Sequence, residues 1–280
     1  ESFAFDLIRM RRATPPDGAW DGRDARRIGV TGRSESGATL FPDAECAVLR
    51  PGGASAAAVN WARHAAGHQS PASLHLDLWL GGQIVTATPH DEGYGDPAYL
   101  TWFRTTIAHN TVTIDRTPMI PYHAGGDSIW EAETYHDAHT QGELLLWQVE
   151  ADFQALRVAS AGVYPGVNLI RTVVATPRYI IDRFDVEAGA VARTIDWAMH
   201  LRGDLATEPP AEPLATDPAL GYRHLCRLRR VTGIQGGKSL VWRLNGRDYR
   251  ATLFSPEGGE WLLAGDPTPA RIGPFHAPTD

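Results

Sequence analysis

Six histidines, three tyrosines and a tryptophan crowd one third of the chain: His64, His68, His75, His90, His109 and His123, with Tyr94, Tyr99, Tyr122 and Trp102. Tyrosine and histidine can transfer protons, and arginine or histidine can neutralise a carboxylate. Any one histidine is more often a hydrogen-bonded structural residue, so the combination marks the region rather than a single member. The densest stretch is TWFRTTIAHNTVTID, Thr101 to Asp115, in which an aromatic pair, Arg104, two threonines and His109-Asn110 run directly into a strand pattern. A strand entrance of this kind holds polar side chains at the rim of a cleft. The turn-rich loop Thr88 to Tyr99 brings Tyr94 and Tyr99 to the same region.

Other chemistries leave no trace. The sequence has no phosphate-binding P-loop, dinucleotide glycine fingerprint, paired CxxC, HExxH or GxSxG motif. Its 33 acidic against 26 basic residues, a net charge of -7, argue against nucleic-acid binding through a basic face. An anionic ligand therefore needs a local patch of Arg and His. No apolar run approaches the ~20 residues that span a bilayer. Cys46 and Cys226 permit at most one disulfide, too few to decide the redox compartment.

The elements that position these residues are strands. With 28 glycines and 20 prolines in 280 residues, long helices have little room. Leu74, Leu76, Leu78 and Leu80 alternate with Ser73, His75, Asp77 and Trp79, and Gly81-Gly82 then supplies a hairpin turn before Gln83 to Ala87 returns. Similar patterns run over Asn110 to Asp115, Val167 to Val174, Arg178 to Val186, Arg193 to Leu201, Ser239 to Leu244 and Tyr249 to Phe254. Seven or more strands without crossover helices predict an all-β fold, a large antiparallel β-sandwich. Glu208 to Pro218 reads as an exposed loop. Residues 2 to 12, SFAFDLIRMRR, are the best helix candidate, with Ser2 as N-cap and apolar Phe3, Leu7, Ile8 and Met10. With Glu at position 1 and no signal-peptide pattern, the chain is expected to be a processed or excised segment.

The order FPDAECAVLR (Phe41 to Arg50), His68, SLHLDLW (Ser73 to Trp79), a Gly hairpin, a Pro-containing loop with Tyr94, and WFRTTIAHNTVTID resembles the C-terminal β-sandwich of heparinase II/III-like polysaccharide lyases. RTVVATPRYIIDRF and TIDWAMHL fit the same pattern, so the resemblance covers about Leu40 to Asp266. It implies an N-terminal (α/α) toroid followed by a large sandwich. Residues 1–37 would then be the end of the helical domain and a linker, and residues 38–280 the sandwich. The implied reaction is β-elimination on a uronic-acid-containing polysaccharide, in which the C5 proton is removed and the C4 oxygen departs. Because that proton is barely acidic beside a charged carboxylate, the site must neutralise the carboxylate. A cluster of His, Tyr, Arg and Asn meets this need, whereas a glycoside hydrolase needs two acids about 5–10 Å apart.

The resemblance places His68 near the substrate carboxylate and makes Tyr94 the candidate general base or acid. His109 is the third catalytic candidate, and Arg104, Asn110, Trp102 and Tyr99 the substrate-binding ones. His109 matches a residue that is a zinc ligand in several family members. The other two expected ligand positions hold Ser70 and Thr88, and the nearby family Asp is Ala72. A lone histidine does not hold zinc, so no metal or other cofactor is expected, although His90 or Asp91 could rescue an altered site. The structural alternatives stay open: Tyr94 as a packed ring, Arg104 paired with Asp96 or Asp115, Trp102 in the core, and His75–Asp77 as a pair on the sheet surface. The expected partners are an acidic polysaccharide and a toroid of the same protein, with neither nucleic acid nor membrane, in the periplasm or outside the cell. A non-catalytic glycan-binding sandwich and a purely structural domain are the rival readings.

Overall fold

A computed structural model describes residues 3–11, 37–52, 54–62, 70–87, 98–119, 140–232, 237–254 and 259–265. Among these, eighteen strands form in chain order. The first six are β1 (Phe3–Arg11), β2 (Thr39–Phe41), β3 (Cys46–Gly52), β4 (Ser55–Asn60), β5 (His75–Leu80) and β6 (Gln83–Ile84). Then come β7 (Val112–Ile114), β8 (Gln141–Val149), β9 (Gln154–Tyr164), β10 (Val167–Ala175), β11 (Ile180–Glu187) and β12 (Thr194–Arg202). The last six are β13 (Asp204–Leu205), β14 (Ala211–Pro213), β15 (Cys226–Val231), β16 (Gly237–Leu244), β17 (Arg247–Phe254) and β18 (Glu260–Gly265).

They pair as four antiparallel sheets: β2-β3-β4-β5-β6, β11-β10-β9-β8, β13-β16-β17 and β14-β15-β18-β1-β12-β7. All four contribute to one core, with Leu49 and Leu76 from the five-stranded sheet, Leu156 and Leu169 from the four-stranded sheet, and Trp242 and Trp197 from the other two. Side chains alternate across each pleat, so every sheet delivers one apolar row to this shared interior. The expected all-β sandwich is therefore the observed architecture. Among the described residues no helix is long and apolar enough to cross a membrane.

The anticipated Gly81-Gly82 hairpin is present, with φ of 58° and 79°, the left-handed region that a two-residue hairpin turn requires and glycine adopts without strain. The six alternating segments beyond Asn110 correspond to β7, β10, β11, β12, β16 and β17. The Glu208–Pro218 segment carries the short edge strand β14 within its mainly exposed course.

The N-terminal expectation is corrected. Residues 3–11 form a nine-residue strand, not a helix. It lies inside the six-stranded sheet, pairing with β12 from Phe3↔Arg202 to Arg11↔Thr194 and with β18 from Ala4↔Gly265 to Arg9↔Glu260. Nine residues make a marginal helix on their own, whereas a slot between two strands satisfies the backbone on both sides. Long-range pairing outweighs local spacing here.

Candidate functional site

The sequence TIDWAMHL explains where the unusual segment sits. Ile195, Trp197, Met199 and Leu201 of β12 enter the main core. Asp196, Ala198 and His200, at the alternate positions, are equally buried on the opposite face. That face is covered by a second apolar cluster in which Trp102, Phe103, Ile107 and Ala108 pack with Ala198, Tyr222 and Leu262. The sheet is thus buried on both faces at this point.

The covering segment begins with a π-helical turn, Tyr99–Phe103. The Phe103 and Arg104 N–H groups donate to Ala98 O at 3.2 Å and Tyr99 O at 3.0 Å, each five residues back. Such wide turns are rare and concentrate at functional sites. The Thr105 hydroxyl donates to Trp102 O at 2.7 Å, and a 3-10 turn, Thr106–Ala108, follows. Thr106 Oγ1 donates to Pro71 O at 2.7 Å and accepts the Met119 N–H at 2.6 Å. The two threonines of WFRTT therefore stitch the segment to itself and to the approach to β5.

His109 and Asn110 come next. His109 Nε2 lies 3.1 Å from Phe103 O, so that nitrogen carries a proton and donates to the carbonyl. Burial, with the neighbouring His75 second, holds its pKa down at about 3, so the ring is neutral at physiological pH. Asn110 Oδ1 accepts the His200 N–H at 2.6 Å, and Nδ2 donates to Leu76 O at 3.0 Å. Its backbone N–H donates to His75 Nδ1 at 3.1 Å. His200 Nε2 lies 2.8 Å from Ile107 O, and burial depresses this imidazole too, to about 3. On the same face Tyr222 donates its hydroxyl to Asp196 Oδ2 at 2.6 Å; burial, reinforced by the Asp196 charge, pushes the phenol well above its usual range.

Arg171 anchors this arrangement to the four-stranded sheet. Fully buried on β10, it makes a forked pair with Asp182 at 2.7 and 2.6 Å. Its Nη1 donates to Leu74 O at 2.5 Å and Asn110 O at 2.6 Å, and the guanidinium lies 5.3 Å from the Phe184 ring centroid. Every donation from a planar guanidinium fixes direction as well as distance. Leu74 itself has φ of 60°, a conformation a Leu rarely adopts, and Arg171 bonds to its carbonyl.

The five predicted site residues that are described come together in this one segment, but face inward. Arg104 and Trp102 are each 2% exposed, Tyr99 5%, His109 4% and Asn110 0%. Arg104 lies 5.8 Å from the Tyr99 ring centroid, and Trp102 meets His200 edge-on at 6.0 Å. They are packed in the interior rather than set at the rim of a cleft. The alternative partner for Arg104, Asp115, instead binds Arg193 at 2.7 Å. His68 and Tyr94 lie outside the described residues, as do His90, Asp91, Asp96 and Thr88. His75 and Asp77 do pair, at 3.2 Å, half-buried rather than on an open surface. Residues that sequence reasoning missed are Asp196, His200, Tyr222, Arg171 and Asp182. A lone arginine in the apolar run VNLIRTVVA was the available signal for a buried ion pair.

Zinc is the metal that the family pattern implies, and among the described residues the expected positions do not supply a ligand set for it. Ser70 offers a weak hydroxyl and Ala72 no donor, while His109 has already committed Nε2 to Phe103 O. Among the described residues no three His, Cys, Asp or Glu side chains converge as a metal-binding group. Cys46 and Cys226 are free thiols on different sheets. A cavity of about 510 Å³ lies between the β8–β9 and β10–β11 turns, lined by Asp152, Phe153, Arg178 and Tyr179 among others, and none of the candidate residues reaches it.

Comparison with known proteins then bears on this geometry. The family described as Heparinase II/III-like, C-terminal matches residues 33–271. A solved heparinase III is 15% identical with a TM-score of 0.50, covering 82% of this chain and 36% of its own length. The heparan sulfate lyase HepC from Pedobacter heparinus is 16% identical with a TM-score of 0.42, covering 76% of this chain and 31% of its own. The chain therefore spans about a third of the length of these solved relatives. No curated protein sequence matches it.

Proposed function

We propose a polysaccharide lyase for this chain, which belongs to the heparinase II/III-like family through the C-terminal domain that family shares. The observation that carries the reading is the family match over residues 33–271, because it spans the whole of the buried segment at Ala98–Ile114 and its Arg171 anchor. The substrate class is an acidic, uronic-acid-containing polysaccharide, and the chain supplies the sandwich part of the site. A toroid of the same protein supplies the rest, in the periplasm or outside the cell.

The reaction is β-elimination. A base removes the C5 proton, the electron pair forms a C4=C5 double bond, and the C4–O bond breaks, with the departing oxygen taking up a proton. Tyr94 is the proposed acid or base, and His68 the residue that lies by the carboxylate. Arg104 and Tyr99, packed on each other, are the proposed charged and aromatic groups for the anionic sugar, with Trp102 beside them in the same turn. His109 and Asn110 hold that turn in place. A neutral, buried imidazole donating to a backbone carbonyl supports the positioning role better than proton transfer, since it is already engaged and does not titrate near neutrality.

The test is incubation of the full-length protein with a panel of uronate polysaccharides, following the ultraviolet absorbance of the unsaturated product. Tyr94→Phe keeps the ring and removes the proton. It should lower turnover by at least a hundredfold, in the range of general acid–base contributions; unchanged turnover removes Tyr94 from the mechanism. A second reading, a glycan-binding sandwich without catalysis, draws on the same inward commitment of Asn110 and His109. Retained polysaccharide binding with no absorbance change on any polymer would select it.

A further inference from the structure

The resemblance implies zinc between the histidine stretch and the His-Asn segment in several members; in this chain the stretch around Ser73–Leu76 and the Asn110–Thr111 segment touch directly. Thr111 Oγ1 donates to Ser73 O at 2.7 Å, and Ser73 in turn hydrogen-bonds to Ser160 of β9 at 2.7 Å. The Leu76 N–H donates to Asn110 O at 3.3 Å. Between them stands His75, absent from the expected ligand set, with its ring 5.6 Å from His109 and at 86° to it.

We infer that His75 and Asp77 form a metal-free clamp that holds the His109-Asn110 strand entrance in place of zinc. The hydrogen bonds fix the tautomer. His75 Nδ1 faces the Asn110 N–H at 3.1 Å and must accept, so the ring proton sits on Nε2. Nε2 then donates to Asp77 Oδ1, 3.2 Å away. Asp77 is held in turn by the Thr86 hydroxyl at 3.1 Å, whose oxygen also accepts the Leu78 N–H at 3.0 Å. The imidazole therefore joins a backbone donor on one segment to an oriented carboxylate on another, much as a second-layer carboxylate orients a metal-bound histidine elsewhere. Both ring nitrogens are used, which makes His75 a positioning residue, not a catalytic one.

This inference goes beyond the lyase reading and is read independently of activity. Elemental analysis of full-length protein purified without chelator should find no stoichiometric zinc, and chelator treatment should leave Tm unchanged. Nitrogen-15 spectra of the His75 ring, needing no variant, should report Nε2–H with an unprotonated Nδ1 near neutral pH. Amide exchange at Asn110 should accelerate about tenfold in His75→Ala, the scale of one lost hydrogen bond. It should return toward the parent rate in His75→Asn, whose Oδ1 can accept the same N–H. One zinc per chain whose removal lowers Tm, the Nδ1–H tautomer, or Asn110 exchange unchanged in a folded His75→Ala would each overturn the clamp.

Discussion

His200 should make this fold sensitive to mild acid. The residue lies on the outer face of β12, 2% exposed, with Nε2 donating to Ile107 O at 2.8 Å and its N–H to Asn110 Oδ1 at 2.6 Å. Burial lowers its pKa from 6.5 to about 3, with a smaller contribution from the charge of His75. The folded chain therefore keeps this imidazole neutral where the unfolded chain protonates it. Its contribution is fully present above pH 6.5 and is lost as pH falls from 6.5 toward 3, at about 1.4 kcal/mol per unit. Between pH 7.5 and 5.0 that amounts to about 2 kcal/mol. His109, lowered to about 3 by burial and by His75, doubles the loss to about 4 kcal/mol. With a urea m-value of ~3 kcal/mol per molar, the midpoint should drop by about 1.3 M. The assay is urea unfolding followed by tryptophan fluorescence across this pH range. His200→Gln preserves a donor toward Ile107 O and cannot titrate, so its stability should fall with pH about half as steeply as that of the parent. Parallel pH profiles for the two proteins, or a parent that gains stability on acidification, would refute the assignment of a neutral buried imidazole.

Two further perturbations separate scaffold from surface. Asn110→Ala leaves the His200 N–H and the Leu76 carbonyl without their side-chain partner in a fully buried setting, and should cost about 2–5 kcal/mol by chemical denaturation; a loss below 0.5 kcal/mol would mean the amide is not structural. Gly142→Ala would place a methyl group 2.1 Å from the Trp61 carbonyl oxygen, so β8 and the chain after β4 cannot keep their approach. It should lower Tm by several degrees, and an unchanged Tm would show that the two backbones do not meet as described.

Legibility in the sequence followed the environment of each strand. Strands with one buried face announced themselves, as with Leu74 through Leu80 and the Gly81-Gly82 turn. β9 did not, because its buried row Leu156, Val158 and Ser160 alternates with the small, half-buried Ala159 and Ala161, so QALRVASAGVY shows little apolar-polar contrast. β1 misled because Phe3, Leu7 and Ile8 fit a helical spacing while the same run also alternates as Phe3, Phe5 and Leu7. What decided it were the β12 and β18 backbones, which no local pattern can reveal. The WFRTTIAHNTV segment was correctly singled out as unusual, but its polar side chains point into the protein. The reason lies at a distance in sequence: Asp196 and His200 interrupt the apolar face of β12, and Tyr222, Ile107 and Asn110 supply their partners. A buried polar face needs polar neighbours, so residues rich in hydrogen-bonding groups were drawn into the interior instead of onto a cleft rim.

The slot occupied by β1 also sets a timetable for synthesis. Arg11 pairs with Thr194, 183 residues further on, and Ala4 with Gly265, later still. At ~5–20 residues per second, the ribosome delivers the first of these partners roughly 10 to 40 s after the strand itself. Through that interval the run FAFDLI is a nascent edge without a neighbour, the kind of segment that a holding chaperone would shelter. Closure of the six-stranded sheet is then a late event in the life of the chain, completed only when β18 follows β12 into place on the other side of β1.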